Sequence, residues 1–163
     1  FAHCRGGNVT GWETKNFGFR GGFTKNGTRT LFAGPLDAGD EIEKIVITES
    51  AVDAMSYFQL AGEEKNRMLY TSLAGNPSRQ QISQIMELGL SLPKVNEIII
   101  ATDADEAGDK MATLLMSSLP PGITTRHRPR FSEDEKKDEK KDWNDIVRAG
   151  KKKEATTHGK YEG

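Results

Sequence analysis

Two carboxylates two residues apart, Asp103 and Asp105, close the run Ile98-Ile99-Ile100-Ala101-Thr102-Asp103-Ala104-Asp105-Glu106-Ala107-Gly108. In an extended segment residues i and i+2 point the same way, so both acids can offer oxygens to one point beyond the strand. Oxygen ligands suit a hard divalent cation, Mg2+ or Mn2+, and a cation so held serves phosphoryl chemistry. The same spacing admits a plainer reading, in which Asp105 or Glu106 opens the following helix and offsets its dipole. A third acid, Glu49, ends the run Lys44-Ile45-Val46-Ile47-Thr48, with Asp53 one helical turn beyond it. Brought together, such carboxylates repel one another and have raised pKa values unless a cation neutralises them.

The elements that must position these acids follow from hydrophobic pattern. Three isoleucines without alternation suit a strand covered on both faces, so residues 95–102 read as a buried parallel strand. Residues 44–48 and 68–72 read the same way, and 123–128 reads as one more strand. Helical spacing places Ala51, Ala54, Met55 and Phe58 on one buried face, then Ile82, Ile85 and Met86, then Ala107, Met111, Leu114 and Leu115. Asn76 followed by Pro77 signals the start of the second of these helices. The order β-α-β-α-β-α gives an α/β domain, a parallel sheet flanked by helices, in which every strand delivers its carboxyl end to one rim. Glu49, Asp103 and Asp105 would then converge there, with Asp142 nearby in Lys141-Asp142-Trp143-Asn144-Asp145. Gly75 either lets backbone approach a ligand or makes the turn, and Gly108 permits close packing of helix on strand.

Residues 1–36 differ in character. Glycine-rich turns separate short strands that carry Arg5, Lys15, Arg20, Lys25 and Arg29 among Trp12, Phe17, Phe19 and Phe23. Such a basic, aromatic, β-rich subdomain can bind phosphates and stack bases, or its aromatics can be a small core and its cations a solvated face. Residues 35–40 read as a linker, 40–150 as the main domain, 132–141 as a solvated charged loop, and 151–163 as a disordered lysine-rich tail.

The chain has 163 residues, 35% hydrophobic and 29% charged, enough for one domain with a small subdomain. Its net charge of −1 argues neither for nor against a nucleic-acid partner. The single cysteine, Cys4, excludes an internal disulfide and a multi-cysteine zinc site within these residues, which fits a reducing, cytoplasmic setting. No stretch approaches the ~20 apolar residues of a membrane span. The first residue is Phe, as in a piece cut from a longer protein.

Taken together, Val46-Ile47-Thr48-Glu49-Ser50-Ala51-Val52-Asp53-Ala54, the turn at Gly75, Asp103-Ala104-Asp105-Glu106-Ala107-Gly108 and Lys141-Asp142-Trp143-Asn144-Asp145 resemble the successive motifs of the Toprim family. Gly7-Asn8-Val9-Thr10-Gly11-Trp12-Glu13-Thr14-Lys15 and Leu31-Phe32 are similar to the basic subdomain that precedes Toprim in bacterial primases and primase-like proteins of plasmids and mobile elements. The resemblance implies the Rossmann-like Toprim fold, with Glu49 as the catalytic carboxylate, Asp103 and Asp105 as the main Mg2+ (or Mn2+) ligands, Asp142 on a second cation and Asp53 in support. It further implies that Lys15, Arg20, Lys25, Gly75 and Lys141 hold nucleotide or nucleic-acid phosphates. The implied activity is Mg2+-dependent nucleotidyl transfer, RNA primer synthesis on single-stranded DNA from nucleoside triphosphates, beside a helicase or mobilisation protein. A Toprim nuclease or strand-transfer domain, and a nucleic-acid-binding module with a weak acidic site, stand as alternatives. Two departures from the family pattern are Ser50, where glycine commonly follows the glutamate, and Asn144, where replicative primases often carry a further aspartate.

Overall fold

The computed structural model describes residues 1–16, 19–34, 41–131 and 142–158, and of residues 16, 19, 20 and 151–158 the backbone alone. Strands β1 (Ala2–Arg5), β2 (Asn8–Asn16) and β3 (Phe19–Phe23) form an antiparallel sheet in chain order. The second sheet has five strands in the order β4-β6-β5-β7-β8: β4 (Phe32–Gly34), β5 (Lys44–Thr48), β6 (Met68–Ser72), β7 (Glu97–Ile100) and β8 (Thr124–Arg126). Strands β5 to β8 are parallel, while β4 runs antiparallel along β6, so the last strand of the first 36 residues belongs to the larger sheet. Helices α1 (Ala51–Leu60), α2 (Arg79–Ser91) and α3 (Glu106–Ser118) follow β5, β6 and β7, and α4 (Trp143–His158) closes the described chain.

The unalternated strands are apolar because both faces are covered. Ile45, Ile47, Leu69, Ile98 and Ile100 pack against Ile85 of α2 and Met111, Ala112 and Leu115 of α3. Val46, Tyr70, Ile99 and Ala101 pack on the opposite face, against Ala54 and Tyr57 of α1 and Trp143 of α4. Thus α1 and α4 cover one face, α2 and α3 the other. The chain steps from β5 to β6 on one side, then crosses back to β7 on the other side of β5. That reversal between β5 and β7 is where an open α/β sheet leaves a crevice beyond its strand ends.

Several expected details shift. In α1 the inward positions are Ala51, Ala54 and Tyr57, whereas Met55 and Phe58 are 56% and 36% exposed. The aromatic that meets Trp143 is Tyr57, at a ring separation of 4.7 Å, which turns the helix by a residue from the expected face. Met86 and Leu114 likewise face outward. Helix α2 starts at Arg79 rather than at Pro77, because Ser78 and Gln81 form a reciprocal capping box: the Ser78 hydroxyl accepts from Gln81 N, and the Ser78 amide donates to the Gln81 side chain. Helix α4 continues to His158, eight residues into the stretch expected to be a tail. Lysine, glutamate and alanine are good helix formers, and extending a helix needs no new nucleus. Residues 35–40, 132–141 and 159–163, with the linker, charged loop and remaining tail assigned to them, lie outside the described residues.

Candidate active site

Glu49 leaves the carboxyl end of β5, and Asp103 leaves that of β7 three residues after Ile100. The two meet directly: Asp103 N donates to Glu49 Oε1 at 3.1 Å. Two further acids line the same cleft. Asp53, on the first turn of α1, is buried, and the Ser50 hydroxyl donates to its Oδ2 at 2.5 Å. Asp142 stands at the start of α4, where its Oδ1 accepts from Asp145 N at 2.7 Å. Trp143 fixes that helix start by donating its indole N–H to the carbonyl of Ala101, at 2.8 Å, in the last stretch before Asp103.

Crowding of like charges shows in their proton affinities. Burial, then Glu49, Asp53, Asp142 and Asp105 push Asp103 up from 3.8 to about 8. Burial pushes Asp53 to about 6 against the opposing Ser50 hydrogen bond, with Asp142 and Glu49 adding to the rise. The Asp103 Oδ1 atom is buried with no hydrogen-bond donor among the described residues. A carboxylate oxygen so placed, beside a second carboxylate, has the donor character that a hard cation requires. Among the described residues no three His, Cys, Asp or Glu side chains form a ready-made metal cage. Mg2+ is ordinarily held by one or two carboxylates together with water and substrate phosphate oxygens, so a full protein cage is not needed.

Asp105 caps the following helix. It is the N-cap of α3, its Oδ1 accepting from Gly108 N at 2.8 Å, and it is not part of the cleft lining. Residues 101–105 are not strand, so the alternation that would have aimed Asp103 and Asp105 at one point does not apply. Gly108 is confined by packing, since a Cβ there would collide with the Asp103 carbonyl. Ser50 leaves the turn unrestricted: at φ −132° and ψ 158° it is ordinary extended backbone, and its hydroxyl caps α1 by accepting from Asp53 N. Asn144 faces the cleft one residue after Trp143.

The opposite wall comes from the smaller sheet and the segment after it. Lys15, Gly21, Gly22, Phe23 and Arg29 face the acids across a cleft of about 1030 Å³, with Arg148 of α4 completing the rim. Gly75 lines it at φ +106°, which only glycine adopts readily, and its amide donates to the Glu49 carbonyl at 3.1 Å. The neighbouring Ala74 is held at φ +52°, and its carbonyl accepts from Arg29 at 3.2 Å. Lys25 is exposed and does not line the cleft. The Arg20 side chain and Lys141 lie outside the described residues.

Two residues with no local sequence signal hold this arrangement. Glu13 of β2, 3% exposed, accepts from Ala51 N at 3.1 Å and from the Ser72 hydroxyl at 3.3 Å, tying the small sheet to the start of α1 and the end of β6. Burial would raise its pKa, but His3, the Ala51 amide and the Lys15 charge outweigh burial and hold the carboxyl below its usual range. Arg126, at the end of β8, donates to the carbonyls of the Asp103 loop.

A family model described as Toprim-like matches residues 46–147. The chain belongs to the Toprim-like family. Its Toprim fold, with the preceding small sheet, is similar to the crystal structure of the primase fragment of the bacteriophage T7 primase-helicase protein, at a TM-score of 0.58 and 21% identity. That likeness covers 96% of this chain, which spans 59% of the phage fragment. Among curated protein sequences none matches this one. No helix among the described residues of this Toprim chain is long and apolar enough to cross a membrane.

Proposed function

We propose that this Toprim chain is the catalytic core of a primase-like protein of plasmid or mobile-element type, joining nucleotides on single-stranded DNA. The Toprim and primase likenesses support a nucleic-acid-processing role at the coarser level. The finer reading is carried by one observation: Glu49 and Asp103, from separate strands, abut at the β5–β7 crevice and face Lys15 and Arg29 across it.

Toprim domains generally bind divalent metal ions, and Glu49, Asp103, Asp142 and Asp53 in the cleft, with Asp105 close to Asp103, are the carboxylates that would hold Mg2+ or Mn2+ here. When bound, the cation neutralises phosphate oxygens and the charge that develops on them. Lys15, Arg29 and Arg148 attract the polyphosphate of a nucleoside triphosphate or the backbone of the strand. Bound between two walls of opposite charge, the reacting phosphate is oriented before chemistry begins. Glu49 stands close enough to Asp103 to share a cation or to take a proton from an attacking hydroxyl. A helicase or mobilisation protein is the expected partner of the intact molecule.

The test is primer synthesis by the full-length parent protein on single-stranded DNA with nucleoside triphosphates and Mg2+. Metal-dependent RNA products that vanish in Asp103→Ala support the reading, whereas products unchanged by that substitution refute it. Cleavage of the DNA in place of synthesis would assign the cleft to a nuclease. Absence of any product, together with flat amide shifts at Glu49 and Asp103 on Mg2+ titration, would leave a nucleic-acid-binding module.

A further inference from the structure

We propose that Arg126 is the positioning residue of the cation site, fixing from behind the main chain that carries Asp103 and so setting how tightly a divalent ion is held. The inference rests on reading the Glu49–Asp103 cleft as that site. Between the end of β7 at Ile100 and the start of α3 at Glu106, the Ile100 and Asp105 carbonyls accept from His127 N and Asp109 N, but among the described residues those of Ala101, Thr102 and Asp103 meet no backbone donor. Buried carbonyls need donors from somewhere. Arg126 supplies them: its Nη1 is shared among the carbonyls of Ile100 at 3.2 Å, Thr102 at 2.8 Å and His127 at 2.6 Å, and its Nη2 donates to Asp103 O at 3.0 Å. The remaining carbonyl of the stretch, Ala101, is held by the Trp143 indole.

The carbonyls of Ala101, Thr102 and Asp103 are therefore tied down by two side chains from other elements, and Arg126 reaches the ladder-bonded Ile100 carbonyl as well. With its carbonyl drawn back to Arg126, the Asp103 peptide turns its side chain forward, into the cleft beside Glu49. The guanidinium does not line the cleft. It opens instead onto a shallow concavity on the other side with Asp109 and Arg128, and Asp109 Oδ1 lies 3.6 Å from its Nη2. A planar fork with several fixed donors can reach carbonyls that diverge along a loop, whereas a lysine ammonium on a flexible stem cannot match them together. Groups that orient cation ligands in this way typically change metal affinity by about 10–100-fold when altered.

The test compares Mn2+ binding, read by water-proton relaxation, in the 163-residue chain and its variants. Arg126→Lys keeps the charge and is expected to weaken Mn2+ at least about tenfold. Asp109→Asn removes only the two outer ion pairs, to Arg126 and Arg128, and is expected to stay within about twofold of the parent. A folded Arg126→Lys protein with parental Mn2+ affinity overturns the inference, as does an equal loss in Asp109→Asn. Should Arg126→Lys not fold, the unsubstituted chain decides: the Arg126 guanidinium signals must shift on Mg2+ titration with the midpoint of the Asp103 amide, and guanidinium signals that stay fixed while the amide moves overturn it. If the unsubstituted chain shows no saturable Mn2+ response at all, the cation site itself falls, and this inference with it.

Discussion

Replacing Asp103 by Asn removes a carboxyl group that the fold would rather keep protonated, and the consequence for stability can be worked from its surroundings. In the folded protein the group holds its proton up to about pH 8, against 3.8 for an ordinary aspartate. Between those values the native state binds more protons than the unfolded chain, so this group makes stability fall as pH rises. Each unit of the gap is worth about 1.4 kcal/mol, which sets a ceiling of roughly 4 kcal/mol at neutral pH. The cleft is open to water on one side, and screening brings the expected effect to about 2 kcal/mol. Asp103→Asn should therefore raise stability by about that amount near pH 7 with divalent ions chelated, or about 4–8 °C in Tm for a domain of this size. The gain should fade to nothing below about pH 4, where both states of the parent are protonated.

Thermal or urea unfolding of both proteins across that pH range, in chelator, measures the difference directly. Asp53, at about 6, has the same sign but is common to both proteins, so it cancels. Excess Mg2+ should reverse the order. The parent gains about 2.7 kcal/mol at a ligand concentration one hundred times Kd, whereas the variant, lacking one of the cleft's carboxylates, gains little. A variant less stable than the parent at every pH, or a difference that does not change with pH, would refute the account of Asp103 as a strained acid awaiting a cation.

Two further substitutions probe the supports. Gly108→Ala places a methyl group against the Asp103 carbonyl, which cannot yield without moving the loop; a loss of about 3 kcal/mol is expected by urea unfolding, despite the better helix propensity of alanine, and an unchanged midpoint would mean the loop is soft. Glu13→Gln removes the charge facing His3, whose Nε2 lies 3.6 Å from Glu13 Oε2, and weakens the acceptor of Ala51 N. It should cost about 1–2 kcal/mol and accelerate amide exchange in β1–β3 ahead of β5–β7; uniform acceleration in both sheets would contradict a role in docking one on the other.

The sheet and the main acids were legible because their signals are local. Unalternated Val46-Ile47 and Ile98-Ile99-Ile100 can only be covered on both faces, and an acid just beyond such a strand lies at the rim whatever the rest of the chain does. Helix faces were less legible: Met55 and Tyr57 are both plausible inward residues in α1, and the choice is made by Trp143, which arrives from nearly ninety positions later. Asp105 was ambiguous because a helix N-cap and a cation ligand call for the same side chain; the cap is now seen in its Oδ1 contact with Gly108 N. Glu13 and Arg126 carry no pattern. One bonds an amide 38 residues away and the other carbonyls 23 to 26 residues back, contacts that exist only once the sheets are assembled.

The two walls of the cleft belong to different sheets, and this explains why so many polar contacts lie buried between them. Acids brought to the β5–β7 crevice repel one another, and the cations that offset them, Lys15 and Arg29, come with the smaller sheet and the segment after it. The cleft thus depends on the angle at which that part sits. Apolar contact alone sets an angle poorly, because it is non-directional. Hydrogen bonds set it well. Gln81 donates to the carbonyls of Thr30 and Leu73 at 2.7 and 2.8 Å, Gln84 to that of Cys4 at 2.9 Å, and Arg29 to that of Ala74 at 3.2 Å. The bonds to Thr30 and Cys4 join the N-terminal segment to α2, that of Arg29 joins it to the loop that supports Glu49 through Gly75, and that to Leu73 ties α2 to the same loop. Loosening this seam at a position remote from every acid, as Gln81→Leu would, should therefore weaken binding of a phosphate-bearing ligand more than binding of Mn2+ alone. The cation needs only the acidic wall, and the phosphates need both. Equal loss of both ligands in a titration of the folded variant would show that the seam serves stability and not the spacing of the walls.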